Sequence, residues 1–110
     1  MVQLMRAAFG EDHYICQFQA PGKMEAKIEQ ITSEVLFRNL FSRRLDQKME
    51  GLSQVKESVP LPAWTSEEDI AYYVSEFAKH GFTPPLNYYR ALDLSWELTA
   101  AWAGSKVTVP

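Results

Sequence analysis

Apolar residues recur every three to four positions along much of this chain, which is the spacing of amphipathic helices. The first such stretch covers residues 1–10 and ends at Gly10, a residue type typical of helix termini. A longer stripe predicts one helix from residue 24 to about residue 42, with charged residues on its outer face. The apolar positions of this stripe are Met24, Ile28, Ile31, Val35, Leu36 and Leu40.

The strongest helix signal lies in TSEEDIAYYVSEFAKHG, residues 65–81. Ser66 and Asp69 have the spacing of a capping box, and so do Thr65 and Glu68. Acidic residues fill the first turn, where they interact favourably with the helix dipole. Gly81 stands where a helix commonly ends in the left-handed conformation. We therefore expect a well-capped helix here, with its buried stripe at Ile70, Tyr73, Val74 and Phe77.

Two further helical signals follow this helix. Thr83 is expected to cap a new helix with Pro84 at its first position, and residues 94–102 form another apolar helical stretch that ends at Gly104. Other segments lack the helical period. Residues 14–18 alternate in a way that predicts an extended segment, residues 106–110 read as a short strand, and the polar residues 43–59 predict a linker. The expected fold is mainly α, with three to five short helices, an extended segment near Tyr14 and a leftover C-terminal strand.

Composition narrows the range of partners. The chain has 110 residues and a net charge of −3, and it carries no basic stripe, so nucleic acid is not an expected partner. No apolar run reaches the length of a membrane span, and the first residues lack the apolar core of a signal peptide. A cytoplasmic protein without a membrane partner is expected. The single cysteine, Cys16, excludes an internal disulfide and is interpreted as a small buried apolar residue.

Familiar catalytic and metal-binding patterns are absent from the sequence. His13 and His80 lie far apart, and neither has ligand spacing to another histidine or to Cys16, so no metal and no cofactor are expected. His80-Gly81-Phe82 resembles an oxyanion loop, but it follows an amphipathic helix rather than a buried strand, which favours a helix stop. His13 beside Asp12 is either a poised base or an ordinary surface histidine, and the second is the commoner case.

Tyrosines in apolar surroundings are the remaining candidates for chemistry. Tyr14 and Tyr89 each stand among apolar residues, where a phenolic hydroxyl can donate a hydrogen bond to an oxyanion or a proton to an alkoxide. Spacing alone favours a packing role, since Tyr89 lies at helical distance from Leu92 and Trp96.

Three segments together resemble the cap region of plant-type soluble epoxide hydrolases, which are α/β-hydrolases. These segments are FGEDHYICQFQAPG, LPAWTSEEDIAYYVSEFAKHGF and NYYRALDLSWELTAAWAGSKVTVP, and the likeness is weak between residues 30 and 59. In that family a core Asp attacks an epoxide carbon to form an ester, which water then hydrolyses with the help of a core His. Two cap tyrosines donate hydrogen bonds or a proton to the epoxide oxygen. The resemblance implies that Tyr14 and Tyr89 are those tyrosines and that Leu92 lines the same pocket.

The resemblance also implies an organisation of the chain. Residues 1–22 would connect to the core and carry Tyr14, residues 23–103 would form the helical cap, and residues 104–110 would begin a core strand. The nucleophilic Asp, the catalytic His and its supporting acid of the family are absent from this sequence, so the chain alone is expected to be inactive. Its small apolar epoxide substrate would be bound together with a core domain.

Two alternatives to the cap of an epoxide hydrolase remain open. The chain could be a helical binding module that uses the apolar underside of the cap, with a homodimer as the expected form. A dehalogenase-like cap is the other alternative, against which the tyrosine pair argues, because those caps usually offer other donors.

Overall fold

A computed structural model describes residues 1–42, 55 and 59–109 of the chain, and these residues contain seven α-helices and one short 3₁₀-helix. The mainly α prediction is confirmed, although three to five helices was an underestimate. The predicted linker at residues 43–59 lies almost entirely outside the described residues. The helices are α1 (Val2–Phe9), α2 (Tyr14–Phe18), α3 (Lys23–Ile28), α4 (Ser33–Phe41), α5 (Glu67–Ala78), α6 (Thr83–Arg90), α7 (Leu92–Leu98) and the 3₁₀-helix Ala100–Trp102.

The segment around Tyr14 is helical, so the prediction of an extended segment there is wrong. The main-chain carbonyl of His13 accepts hydrogen bonds from the N–H groups of Cys16 and Gln17, which starts α2 directly after the turn at Gly10. Ile15 and Cys16 both become buried. Apolar residues at consecutive positions obscured the period, because α2 spans only five residues.

The predicted long helix between residues 24 and 42 is two helices, α3 and α4, separated by a break at residues 29–32. Thr32 begins α4: its backbone is extended, and its side-chain oxygen accepts a hydrogen bond from the N–H of Val35. This N-cap satisfies a main-chain donor that lacks a partner within the helix. The apolar stripe continues across the break, so periodicity alone did not reveal it.

The main core lies where α3, α4 and α6 meet. Met24 and Ile28 of α3, Leu36 of α4 and Leu86 of α6 form one buried cluster. Met24 is only 2 % exposed. Removal of these side chains from water supplies the main driving force that holds the three helices together. The half-buried residues Phe18, Ile31 and Phe82 pack against the cluster.

Helix α5 packs on α4 through aromatic rings. The capping box at its start is present: the Ser66 hydroxyl accepts from the N–H of Asp69, whose carboxylate accepts from the N–H of Ser66. The Asp69 carboxylate also accepts from the Ser66 hydroxyl, and this bond together with the one from the Ser66 N–H holds the pKa of Asp69 below its usual value. Ile70 is buried, while Tyr73 remains 41 % exposed and is thus less buried than the stripe predicts. The rings that join α4 and α5 include Phe37, Phe41, Tyr73 and Phe77.

The chain after α5 turns as expected and then departs from the prediction. Gly81 has a φ of 67°, the left-handed conformation predicted for this helix end. The next N-cap is Phe82 rather than Thr83, which is the first residue of α6, with Pro84 beside it in the first turn. Residues 105–109 form no strand, and no partner strand exists among the described residues. Their assignment to a core strand stays a prediction.

Candidate functional site

Tyr14 and Tyr89 lie together although 75 residues separate them along the chain. Their ring centroids are 5.8 Å apart, and the two ring planes meet at 82°. Such edge-to-face contacts are favourable because the positive edge of one ring meets the negative face of the other. Both side chains are half-buried, whereas the neighbouring Tyr88 is 83 % exposed. The fold therefore brings together the two tyrosines that the sequence singled out and leaves Tyr88 outside the pair.

Phe18 completes a three-ring cluster with the tyrosines. Its ring centroid lies 5.6 Å from that of Tyr14 and 5.0 Å from that of Tyr89, in edge-to-face contacts at 69° and 76°. Tyr14 and Phe18 are four residues apart on α2, so both rings project from one side of that helix. Tyr89 on α6 contacts both of them. Each tyrosine thus contacts the other tyrosine and Phe18.

The row of rings continues from Tyr14 to His13 and Phe9. The His13 ring lies 4.7 Å from Tyr14 and 5.1 Å from Phe9, measured between centroids. Its Nδ1 atom is buried and has no hydrogen-bond partner among the described residues. Within the described part of the chain, the hydrogen bond of the neighbouring Asp12 is made by its main-chain carbonyl oxygen, which accepts from the side chain of Gln17. The histidine is therefore half-buried among aromatic rings and is not an ordinary surface residue.

Hydrogen bonds from side chains to main-chain carbonyl groups join the two helices that carry the tyrosines. The Gln19 side-chain Nε2 donates to the carbonyl oxygens of Ile15 and Tyr89, each at 2.9 Å. The Arg90 Nε donates to the carbonyl oxygen of Phe18, also at 2.9 Å. These contacts join the end of α2 to the end of α6, directly beside the tyrosine pair. The sequence analysis missed both residues, since nothing in the local pattern marks a polar side chain whose partner is 70 residues away.

Arg90 also forms the most buried ion pair among those described. Its two terminal nitrogens donate to the two carboxylate oxygens of Glu25, at 2.8 and 2.9 Å. The Arg90 and Glu25 side chains are 12 % and 14 % exposed. The hydrogen bond from Arg90, reinforced by one from Thr83, lowers the pKa of Glu25 to about 2 from its ordinary 4.5. The Glu25 carboxylate is therefore ionised at neutral pH, and both of its oxygens are hydrogen-bonded to Arg90.

The remaining predicted site residue, Leu92, begins α7 and is half-buried. Its contact with a substrate pocket stays a prediction. His80 is exposed after the end of α5, which agrees with a helix stop. No cluster of three His, Cys, Asp or Glu side chains that could hold a metal occurs in the described part of the chain. None of the helices in residues 1–42 and 59–109 has the length and apolarity that a bilayer crossing requires.

Comparison with known proteins gives a consistent picture, although no family model matches the chain. Epoxide hydrolase 3 of Siraitia grosvenorii is 42 % identical over 99 % of the chain, which spans 36 % of that protein. Epoxide hydrolase A of Mycobacterium tuberculosis is 35 % identical over 98 % of the chain, which spans 38 % of its length. The chain thus matches only about a third of these curated relatives.

Solved structures give the same result. The crystal structure of an epoxide hydrolase from Vigna radiata matches the whole chain with a TM-score of 0.81 and 46 % sequence identity, and the chain covers 33 % of it. A point mutant of the Solanum tuberosum epoxide hydrolase gives a TM-score of 0.85 at 39 % identity, and the chain covers 36 % of it. The helical arrangement described above therefore recurs within larger proteins.

Proposed function

Since the chain belongs to the epoxide hydrolase family and matches about a third of the length of its plant members, we propose that it is the lid over the active site of such an enzyme. In this role it covers the site, shapes an apolar pocket and presents Tyr14 and Tyr89 to the epoxide oxygen. The observation that carries the proposal is the edge-to-face pairing of these two tyrosines from separate helices.

Ring opening explains what the tyrosines contribute. When a nucleophile attacks an epoxide carbon, the C–O bond breaks and its electrons pass to the oxygen, which becomes an alkoxide. Two phenolic hydroxyls fixed at that oxygen stabilise the charge as it develops, or one of them transfers its proton to it. The aromatic contacts of both tyrosines support this role, because a preorganised donor needs little reorganisation during the reaction.

The chain alone is proposed to be inactive. Hydrolysis through an ester needs a nucleophilic carboxylate and a base, and the family resemblance assigns both to a core that this sequence does not contain. The described carboxylates with the best-defined partners serve the fold: Glu25 pairs with Arg90, and Asp69 caps α5. A lid that only supplies hydrogen-bond donors cannot attack the epoxide carbon.

The decisive experiment restores a core. The segment of the Vigna radiata epoxide hydrolase that matches this chain is replaced by the 110 residues, and hydrolysis of an aryl epoxide is measured. Tyr14→Phe and Tyr89→Phe should each lower kcat by roughly a hundredfold or more, as expected when one preorganised donor to an oxyanion is lost. Tyr88→Phe is the matched control and should leave kcat unchanged, because Tyr88 lies outside the pair.

Either of two results would refute the proposal. Full activity of the Tyr14→Phe and Tyr89→Phe chimeras would remove the assigned role from both tyrosines. Epoxide hydrolysis by the purified chain that survives Tyr89→Phe would show that the 110 residues hold a complete site of another kind.

A second candidate function is favoured by one observation, the apolar surface near the C-terminus. Helix α7 has no buried residue, and we propose that, without a core, this surface pairs two copies of the chain. Sedimentation should then show concentration-dependent dimers that Trp102→Ser weakens. A monomer at high concentration would contradict self-association. The exposed apolar residues here are Leu94, Trp96, Leu98, Trp102, Val107 and Val109.

A further inference from the structure

Every N–H donor of the Arg90 guanidinium has an acceptor. The group carries five donors in a fixed planar arrangement. Nε bonds to the carbonyl oxygen of Phe18, and the two terminal nitrogens bond to both carboxylate oxygens of Glu25. Asn87 Oδ1 accepts a fourth bond at 3.1 Å, and the Ala20 carbonyl oxygen accepts a fifth at 3.4 Å. One side chain thereby connects α6, α3 and the end of α2.

The connection lies beside the tyrosine pair on both helices. Arg90 directly follows Tyr89 in α6, so its contacts anchor the end of the helix that carries this tyrosine. On the other side it holds Phe18, whose ring contacts both tyrosines. Carbonyl oxygens at the end of a helix lack partners within the helix, and a cationic donor stabilises them.

Glu25 fixes the guanidinium in turn. Its carboxylate accepts from Arg90 through both oxygens, and Oε1 also accepts from the Thr83 hydroxyl at 3.2 Å. Thr83 begins α6 and Arg90 ends it, so one carboxylate on α3 holds both ends of the helix that carries Tyr89. A planar, two-point contact restrains rotation as well as distance.

We propose that Arg90, held by Glu25, is a positioning residue that sets the separation and angle between the rings of Tyr14 and Tyr89. The catalytic consequence rests on the function proposed above, whereas the geometric one does not. Neither Arg90 nor Glu25 is assigned a contact with the substrate. Lysine cannot replace the arginine here, because an ammonium group lacks the planar fork that reaches Phe18 and both Glu25 oxygens together.

An ion pair that only stabilises the fold would not affect the geometry of the tyrosine rings. Arg38 provides a matched control of this kind. Arg38 on α4 pairs with Glu34 and with Glu67, and its side chain is 18 % exposed. This arginine also joins two helices through carboxylates, but its described hydrogen bonds reach only Glu34 and Glu67 and neither helix of the tyrosine pair. Arg38→Lys should therefore lower stability without a change at the tyrosines.

The first test measures ring geometry in the full 110-residue chain by NMR. Nuclear Overhauser effects between the ring protons of Tyr14 and Tyr89 are recorded, with Tyr14→Phe and Tyr89→Phe used to assign the signals. Arg90→Lys should weaken these cross-peaks several-fold, and Arg38→Lys should leave them unchanged. If Arg90→Lys does not fold, Glu25→Gln decides, since it keeps the arginine and removes the two-point carboxylate contact. Unchanged cross-peaks in a folded Arg90→Lys or Glu25→Gln variant would overturn the proposal.

The second test uses the chimera with the Vigna radiata core. A misplaced donor slows the chemical step, so Arg90→Lys should lower kcat by between about ten- and a hundredfold while KM changes far less. A loss of kcat that Arg38→Lys reproduces would also overturn the proposal. The two ideas fail separately: tyrosine variants with full activity refute the lid function, whereas unmoved cross-peaks refute the positioning role of Arg90.

Discussion

The side-chain Nε2 of Gln19 lies 2.9 Å from the main-chain carbonyl oxygen of Tyr89 and donates a hydrogen bond to it. The same nitrogen donates to the main-chain carbonyl oxygen of Ile15, four residues earlier in the chain. A single amide group therefore links the main chain on either side of the interface between α2 and α6. This link lies where the two candidate donors, Tyr14 and Tyr89, meet.

Gln19→Ala is expected to lower the free energy of unfolding by about 1–2 kcal/mol, because the half-buried carbonyl groups lose their donor. Urea unfolding followed by circular dichroism measures the change. Gln17→Ala is the control: Gln17 makes a comparable but local and exposed bond to the Asp12 carbonyl. It should change stability by no more than about 0.5 kcal/mol. Equal losses in the two variants would mean that the link to Tyr89 adds nothing.

The pair of Glu25 and Arg90 should make stability depend on pH in the acid range. The pKa of Glu25 is about 2 in the folded chain and 4.5 ordinarily, so the unfolded state binds this proton more readily. The stabilisation is complete above pH 4.5 and is lost as the pH falls from 4.5 towards 2.

Comparison with Glu25→Gln isolates this effect from other acids whose pKa is also lowered, such as Asp69 and Asp93. The wild-type chain should exceed the variant in unfolding free energy at pH 7, and the difference should shrink steadily below pH 4.5. A difference that stays constant down to pH 2.5 would show that the charge of Glu25 contributes nothing.

Loss of the N-cap should weaken α5. Ser66→Ala removes the hydroxyl that accepts from Asp69 N–H, and it is expected to cost about 1 kcal/mol of unfolding free energy. Thermal unfolding detects this as a lower midpoint. Ser75→Ala provides the comparison, since the Ser75 hydroxyl lies within the helix and bonds to the Tyr72 carbonyl. A larger loss at Ser75 than at Ser66 would contradict the capping box.

Truncation of the core should have the largest effect. Met24 is 2 % exposed in the cluster between α3, α4 and α6, and Met24→Ala is expected to cost about 2–5 kcal/mol through lost contacts and a cavity. Leu4→Ala removes an apolar side chain that is 67 % exposed and should be nearly neutral. Chemical denaturation of both variants checks this order, and a neutral Met24→Ala would place the core elsewhere.

Long periodic segments with clear caps were predictable from the sequence. Helix α5 combines an apolar stripe with the Ser66–Asp69 box and Gly81, so several local signals agree, and the structure follows them. The break before α4 was missed, although Thr32 followed by Glu34 marks a helix start. The apolar stripe runs through α3 and α4 without interruption, because both helices bury their apolar faces in one core. This continuity outweighed the signal for a helix start.

The candidate site, too, could be predicted only in part from the sequence. The tyrosines were identified through family resemblance, since spacing alone favours a packing role for Tyr89. Their meeting, at 5.8 Å between ring centroids, is a tertiary fact that no local pattern contains. The same applies to Arg90 and Glu25, which look like solvated charges in the sequence and prove to be 12 % and 14 % exposed. Charged residues whose partners are distant in sequence cannot be told from surface charges by pattern.

The five hydrogen bonds of the Arg90 guanidinium determine how the contact between α2 and α6 responds to alkali. Its hydrogen bonds to Glu25 raise its pKa further above an already high value, so the group keeps its charge wherever the chain stays folded. The contact between α2 and α6 therefore does not loosen as base is added. Acid, which protonates Glu25, or a substitution of either partner releases this contact, whereas alkali leaves it in place.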